Sequence, residues 1–242
     1  MRAIILAGGR GSRLRPYTVV LPKPLMPVGD RPVLDVVVRQ LRRAGFDRLT
    51  VATGYLAELI EAFFGDGRSY GVDIDYFREA EPLGTAGSLA LIEGLDEPFL
   101  VMNGDVLTDL DYRRLLADHC ASDAIATIAT RRRTVEVSLG VLRFGDERDT
   151  TRLTDYDEKP TIDYEASMGV YCFSPRVIEH LAPGEPLDFP DLILRLISSG
   201  ETVRGWRSND YWLDIGSHDD YEQAQEEFER VRDRLLPGDP LP

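Results

Sequence analysis

The chain has 242 residues, a formal net charge of −14, and a composition that is 43% hydrophobic and 29% charged. That length accommodates one large α/β unit or two cramped ones, and the balance excludes a disordered chain, a collagen and a coiled coil. The acidity argues against nucleic acid or an anionic membrane as the main partner, since each requires a basic face.

Taken along the chain, residues 2–7 (RAIILA) predict a buried strand that empties into a glycine-rich loop. Residues 32–44 predict a helix with Pro32 early and Gly45 just past its end. A strand is expected at 47–53, a helix at 56–64, a strand at 72–77, a helix at 85–94 and a strand at 98–102. This alternation predicts a wound α/β sheet. The second half changes character, with strands at 124–130, 137–144, 150–157 and 166–173, and helices at 175–181 and 190–199. Those successive extended segments suggest an inserted antiparallel ribbon. Strands at 202–207 and 210–213 follow, and Ser217 with Asp220 resembles a capping box opening a last helix that runs to about residue 235. The expected fold is therefore a Rossmann-like, mostly parallel sheet with helices on both faces and a ribbon in its second half. One domain is expected over 1–236, with a loose tail at 237–242. No apolar run approaches the roughly 20 residues of a membrane span, and no charged leader opens the chain, so a cytoplasmic location is expected.

Cys120 and Cys172 lack metal-like spacing and read as buried thiols, and His119, His180 and His218 are scattered. Neither a zinc site nor a histidine dyad is expected. Of the 28 basic residues only Lys23 and Lys159 are lysines, each against a proline. A flexible point charge that must reach a phosphate is poorly replaced by the planar fork of arginine, which makes both survivors candidates for phosphate contact.

Residues 6–16 (LAGGRGSRLRP) place three glycines in four positions after a buried strand, which allows close backbone approach and leaves amides free for phosphate oxygens. The spacing is neither G-x-G-x-x-G nor a Walker A loop. A solvated glycine turn would account for the loop alone; Arg13, with Lys23 ten residues on, adds the charges a triphosphate requires. The span 8–32 (GGRGSRLRPYTVVLPKPLMPVGDRP) closely resembles the signature of the sugar-1-phosphate nucleotidyltransferases, with Ser12 where the family usually has Thr. That resemblance implies that Leu6, Ala7, Gly8, Gly9, Gly11 and Ser12 wrap the nucleotide and that Arg13 and Lys23 contact its phosphates. The turn 82–87 (PLGTAG) is similar to the family's base-binding segment, which points to Gly84, Thr85 and the preceding Glu81, with Glu79 as a neighbouring carboxylate.

Asn103, Gly104 and Asp105 follow a buried strand, the position from which α/β sheets present ligands, and Asp214 closes a second apolar run. The resemblance assigns Asp105 and Asp214 to Mg²⁺; their separation in sequence says nothing of proximity. It likewise implies a sugar-phosphate side made of Asn103, Gly104, Gly140, Glu158, Lys159 and Gly169, with glutamate on sugar hydroxyls and lysine on the phosphate. The nucleotide half would be about 1–110, the sugar-phosphate half about 111–216 and the last helix about 217–236. The run Arg131-Arg132-Arg133 reads as a solvated strand end, and Trp206 and Trp212 as core or pocket-wall aromatics.

The implied activity is transfer of a nucleotidyl group from an NTP to a sugar 1-phosphate. GTP with a mannose- or heptose-type acceptor is favoured, against a thymidylyl- or uridylyltransferase acting on glucose 1-phosphate and a non-catalytic sugar-nucleotide sensor. A homo-oligomer is left open. The chain's end leads to the expectation that no hexapeptide-repeat acyltransferase extension is present.

Overall fold

A computed structural model describes residues 1–79, 81–145 and 151–238. The run 2–7 forms β1 (Arg2–Ala7), and a short hairpin β2 (Pro27–Val28) and β3 (Arg31–Pro32) precedes α1 (Val33–Arg43). Then come β4 (Arg48–Thr53), α2 (Ala57–Phe64), β5 (Asp73–Arg78), β6 (Phe99–Asn103), β7 (Val106–Thr108) and α3 (Tyr112–Cys120). The second half holds β8 (Ala126–Glu136), β9 (Val141–Phe144), β10 (Leu153–Asp157), β11 (Thr161–Phe173), α4 (Phe189–Ser198), β12 (Val203–Ser208), β13 (Trp212–Asp214) and α5 (His218–Leu235).

Seven strands make the central sheet in the order β12-β8-β11-β6-β1-β4-β5. The pairings β6–β1–β4–β5 and β8–β12 are parallel. Only β11 runs against its neighbours. Near-continuous apolar β1, β4 and β6 are what a sheet covered on both faces requires. One face buries Leu34, Val37 and Leu41 of α1, Ile60 and Phe64 of α2, and Leu115 of α3. The other buries Phe189, Leu192 and Leu196 of α4. A third cluster unites Leu14, Met26 and Val28 with Phe228, Val231 and Leu235 of α5. No described helix is long and apolar enough to cross a membrane.

The expected ribbon is present: β9 and β10 pair antiparallel, and β8 and β11 extend beyond the sheet as a long antiparallel pair. Its strands differ in extent from expectation. The segment expected at 124–130 continues to Glu136, that expected at 137–144 shortens to Val141–Phe144, and β11 begins at Thr161 rather than 166. Residue 150, the expected start of another strand, lies outside the described residues, as do 239–242 of the expected tail. Two expected helices, 85–94 and 175–181, are 3₁₀ turns at Gly87–Leu91 and Pro175–His180. Gly87 packs closely against the Glu185 carbonyl, from which an added Cβ would lie 2.5 Å. Cys172 is buried as expected, but Cys120, the last residue of α3, is exposed. The Ser217 capping box holds: its hydroxyl accepts the Asp220 amide, one of the orphan donors of the first turn of α5.

Candidate active site

The carboxyl ends of β1, β4, β5 and β6 open onto a cleft of about 320 Å³ bordered by Leu6, Gly8, Glu79, Gly84, Asn103 and Asp105. Strand β1 delivers the glycine loop to its floor. Gly11 is left-handed at φ 57°, a conformation that favours glycine, and an added Cβ there would lie 2.8 Å from Thr18 Cγ2. The Thr18 hydroxyl donates to the Gly11 carbonyl at 2.7 Å and fixes the turn. Among the described residues, the amides of Gly9, Arg10, Gly11, Ser12 and Arg13 reach no acceptor, which leaves a row of donors open. Such a row is a nest for an anion. Ala7 is buried and Ser12 exposed.

Four charged groups expected to act together are brought together. The Gly104 amide donates to the Leu6 carbonyl at 2.9 Å, which seats the turn after β6 against the loop and places Asp105 beside it. Lys23 pairs through Nζ with Asp105 Oδ2, both largely shielded. The antiparallel pairing of β13 with β7 sets Asp214 opposite Val106, and the Ile215 amide donates to the Asp105 carbonyl at 3.2 Å. Arg13 reaches Gly216, at the end of the same segment. Asp214 is exposed, yet desolvation by the atoms packed against part of its carboxyl raises its pKa, Asp105 adds to the rise, and Lys23 and Arg13 oppose it.

The sign of that shift makes a prediction. A carboxyl whose pKa rises on folding binds its proton more tightly in the folded state, so its ionised form costs stability as pH climbs from the unfolded value through the folded one. Asp214→Asn is expected to raise the Tm of the metal-free protein near neutral pH and to leave it unchanged in acid, where the carboxyl is protonated anyway; thermal unfolding at both pH values checks this.

Asp105 Oδ1 is buried and has no hydrogen-bond partner. An orphaned carboxylate oxygen next to a second carboxylate is the donor set expected of Mg²⁺, which takes one or two carboxylates and completes its shell with phosphate oxygens and water. Among the described residues no group of three or more His, Cys, Asp or Glu is arranged for a metal, so a site here rests on this pair.

The base side differs in one residue from expectation. Glu81 is exposed, while Glu79, which directly follows β5, is half-buried and borders the cleft. Burial raises the Glu79 carboxyl. The signal was available, because Glu79 ends a parallel strand. Gly84 has φ 73°, and a Cβ there would stand 2.6 Å from the Leu187 carbonyl oxygen. Gly84→Ala is expected to cost about 1–3 kcal/mol from conformation alone, read as a lower urea midpoint. Thr85 borders the cleft but its hydroxyl accepts the Phe189 amide at 2.9 Å and so caps α4.

The expected sugar side is split. Gly169, at φ 71°, abuts the Asn103 side chain, which brings β11 to the cleft. Gly140 faces Tyr156 and Glu158, and the Tyr156 hydroxyl donates to Glu158 Oε2 at 2.8 Å. Lys159 follows at φ 49°, exposed on the ribbon, and makes no ion pair with a described residue. Glu158 and Lys159 thus stand on the ribbon without contact to the Lys23–Asp105 pair.

The strand-end cleft, the open loop amides and the neighbouring Arg13, Lys23, Asp105 and Asp214 thus gather at one end of an α/β sheet. Residues 2–231 match the family described as nucleotidyl transferase, and the chain belongs to that family. It is 36% identical over 244 residues to the UTP–glucose-1-phosphate uridylyltransferase of Synechocystis sp.; the match takes in 93% of this chain but 62% of the relative, so the chain spans less than two thirds of that protein. It is 33% identical to the D-glycero-alpha-D-manno-heptose 1-phosphate guanylyltransferase of Aneurinibacillus thermoaerophilus, over 95% of this chain and 99% of the relative. The solved structure of HddC from Yersinia pseudotuberculosis complexed with GMP-PN superposes with a TM-score of 0.68 at 26% identity, over 94% of this chain and 99% of that one.

Proposed function

We propose that the chain is one catalytic unit that transfers a nucleotidyl group from an NTP to a sugar 1-phosphate and releases pyrophosphate. The observation that carries this reading is the convergence of Arg13, Lys23, Asp105 and Asp214 beside the open amides of the glycine loop. A phosphate oxygen of the acceptor attacks the α-phosphorus in line, the bond to the β-phosphate oxygen breaks, and that electron pair leaves on pyrophosphate. The nucleophile is already an anion, so the protein positions two anions and offsets their charge, and no covalent enzyme intermediate is required. Asp105 and Asp214 would hold Mg²⁺, which supplies charge neutralisation at the phosphates. The loop amides and Arg13 hold the triphosphate, and Lys23, beside Asp105, faces the same phosphates. Glu158 and Lys159 meet the acceptor from the ribbon.

GTP with a mannose- or heptose-type acceptor is the leading pair. Glu79 supports it, since a carboxylate in the cleft matches the adjacent ring N–H and amino donors of guanine. The guanylyltransferase relative, matched over nearly its whole length, supports it independently. The higher identity to a uridylyltransferase favours a second reading, UTP with glucose 1-phosphate. Pyrophosphate release from four NTPs against mannose, glucose and heptose 1-phosphates separates them: GTP is expected to lead in kcat/KM, and a lead for UTP with glucose 1-phosphate would establish the second. No release from any pair would overturn the reaction itself.

A further inference from the structure

Strand β8 carries three consecutive arginines, and the alternation of side chains along a strand sends them to opposite faces. Arg132 lies on the face with Thr134, and both bond Asp163. Arg131 and Arg133 lie on the other, in line with buried Ala129. There Arg133 sits over the Trp212 ring, 5.5 Å from its centroid. The Trp212 indole is itself fixed by donating to the Met168 carbonyl at 2.9 Å, next to Gly169 and hence to Asn103. Trp212 and Asp214 are two residues apart on β13, on one face and about 7 Å from each other along the strand. Arg133 therefore stands against the residue two before Asp214 on β13, and Arg131 lies two residues before it on the same face of β8.

Neither has a counter-charge among the described residues. Nη1 of Arg131 is buried without a hydrogen-bond partner, and neither Arg131 nor Arg133 pairs with a described carboxylate, although the chain has 42 acidic residues against 28 basic ones. A buried guanidinium N–H without an acceptor is costly, and the cost is removed when an anion enters. On the opposite face Arg132 has its carboxylate, so within the arginine run the lack is confined to the face on which Arg133 meets Trp212.

We propose that Arg131 and Arg133 form a clamp for the phosphate of the acceptor. The inference rests on the reaction proposed above, in which that phosphate is the one anion the acceptor must carry. Arg131 supplies the enclosed donor at Nη1, and Arg133, seated over Trp212, supplies the exposed one. Lys159, exposed on the ribbon, then closes on the acceptor from the other side.

The test is a steady-state comparison of wild type, Arg131→Gln, Arg131→Lys and Arg133→Gln with the pair of substrates the wild type uses best. Arg131→Gln and Arg133→Gln are each expected to raise KM for the sugar 1-phosphate roughly 10- to 100-fold and to leave KM for the NTP within about twofold. Arg131→Lys, which keeps the charge, is expected to recover part of the loss. An unchanged acceptor KM in both glutamine variants, or equal rises for both substrates, overturns the clamp while the reaction stands. A wild type with no turnover overturns both. If Arg131→Gln does not fold, Arg133→Gln, whose site is exposed, decides alone.

Discussion

Asp105→Asn is expected to leave a folded protein whose pyrophosphate release falls by about 10²- to 10³-fold, the loss that follows removal of one preorganised charge contact at a reacting phosphate. The reason lies in how its two oxygens are used. Oδ2 is taken by Lys23, and Oδ1 is buried and unpartnered. Asparagine keeps the shape, but it either turns an N–H₂ towards the Lys23 ammonium, donor against donor, or points it at the place a cation would occupy. Both arrangements remove a negative charge from between Lys23 and the phosphates. Circular dichroism of the variant is expected to match wild type, because Asp105 is joined to the fold through its backbone carbonyl, which still accepts from Ile215. Turnover at the wild-type level would overturn the role given to this carboxylate.

Phe228→Ala is expected to cost about 3–5 kcal/mol in stability, the range for deleting a fully buried aromatic ring. Phe228 is 0% exposed and closes the cluster between α5 and the segment that follows the glycine loop. Its ring lies so near Gly29 that a Cβ there would come within 2.5 Å. The neighbours on both sides are fixed: the Gly29 amide donates to Gln225, Tyr221 donates to the Pro27 carbonyl, and Arg232 pairs with Asp30. The site is therefore poorly able to collapse into the space, and the cavity persists. Urea unfolding measures the loss as a lower midpoint with an unchanged slope. Because the loop from Arg13 to Asp30 leans on α5, KM for the NTP is expected to rise as well, in contrast with the acceptor-specific effect expected at Arg131.

Much of this was legible in the sequence, and for identifiable reasons. Strands β1, β4 and β6 are continuous apolar runs, α1 shows helical spacing with Gly45 after its end, and Ser217 opens α5 with a capping box. Arg13, Lys23, Asp105 and Asp214 were each identifiable, but nothing local could say that Asp105 and Asp214 meet. Their proximity depends on a three-residue pairing of β7 with β13, too short to leave a periodic signal. The ribbon was misjudged in length because its strands are exposed on both faces, so burial imposes no regular alternation there. Glu81 was preferred to Glu79 because it adjoins the glycine turn; the strand end that presents Glu79 to the cleft is a property of the sheet. The arginine run was read as a solvated strand end, whereas the pleat of β8 divides it, which gives Arg132 an acid partner, seats Arg133 over Trp212 and leaves Nη1 of Arg131 buried.

The grip of α5 on the loop has a consequence for the order in which the molecule is made. His218 bonds the Arg15 carbonyl at 2.8 Å across 203 residues of sequence. Contacts of such long range form late, because the chain between them must already be ordered. The glycine loop precedes α5 in the chain, and it lacks its backing until α5 is in place. A nascent chain halted before Ser217 would carry β1 and the glycine turn without the support that holds them to one shape. The loop would then take its final shape only once α5 has docked.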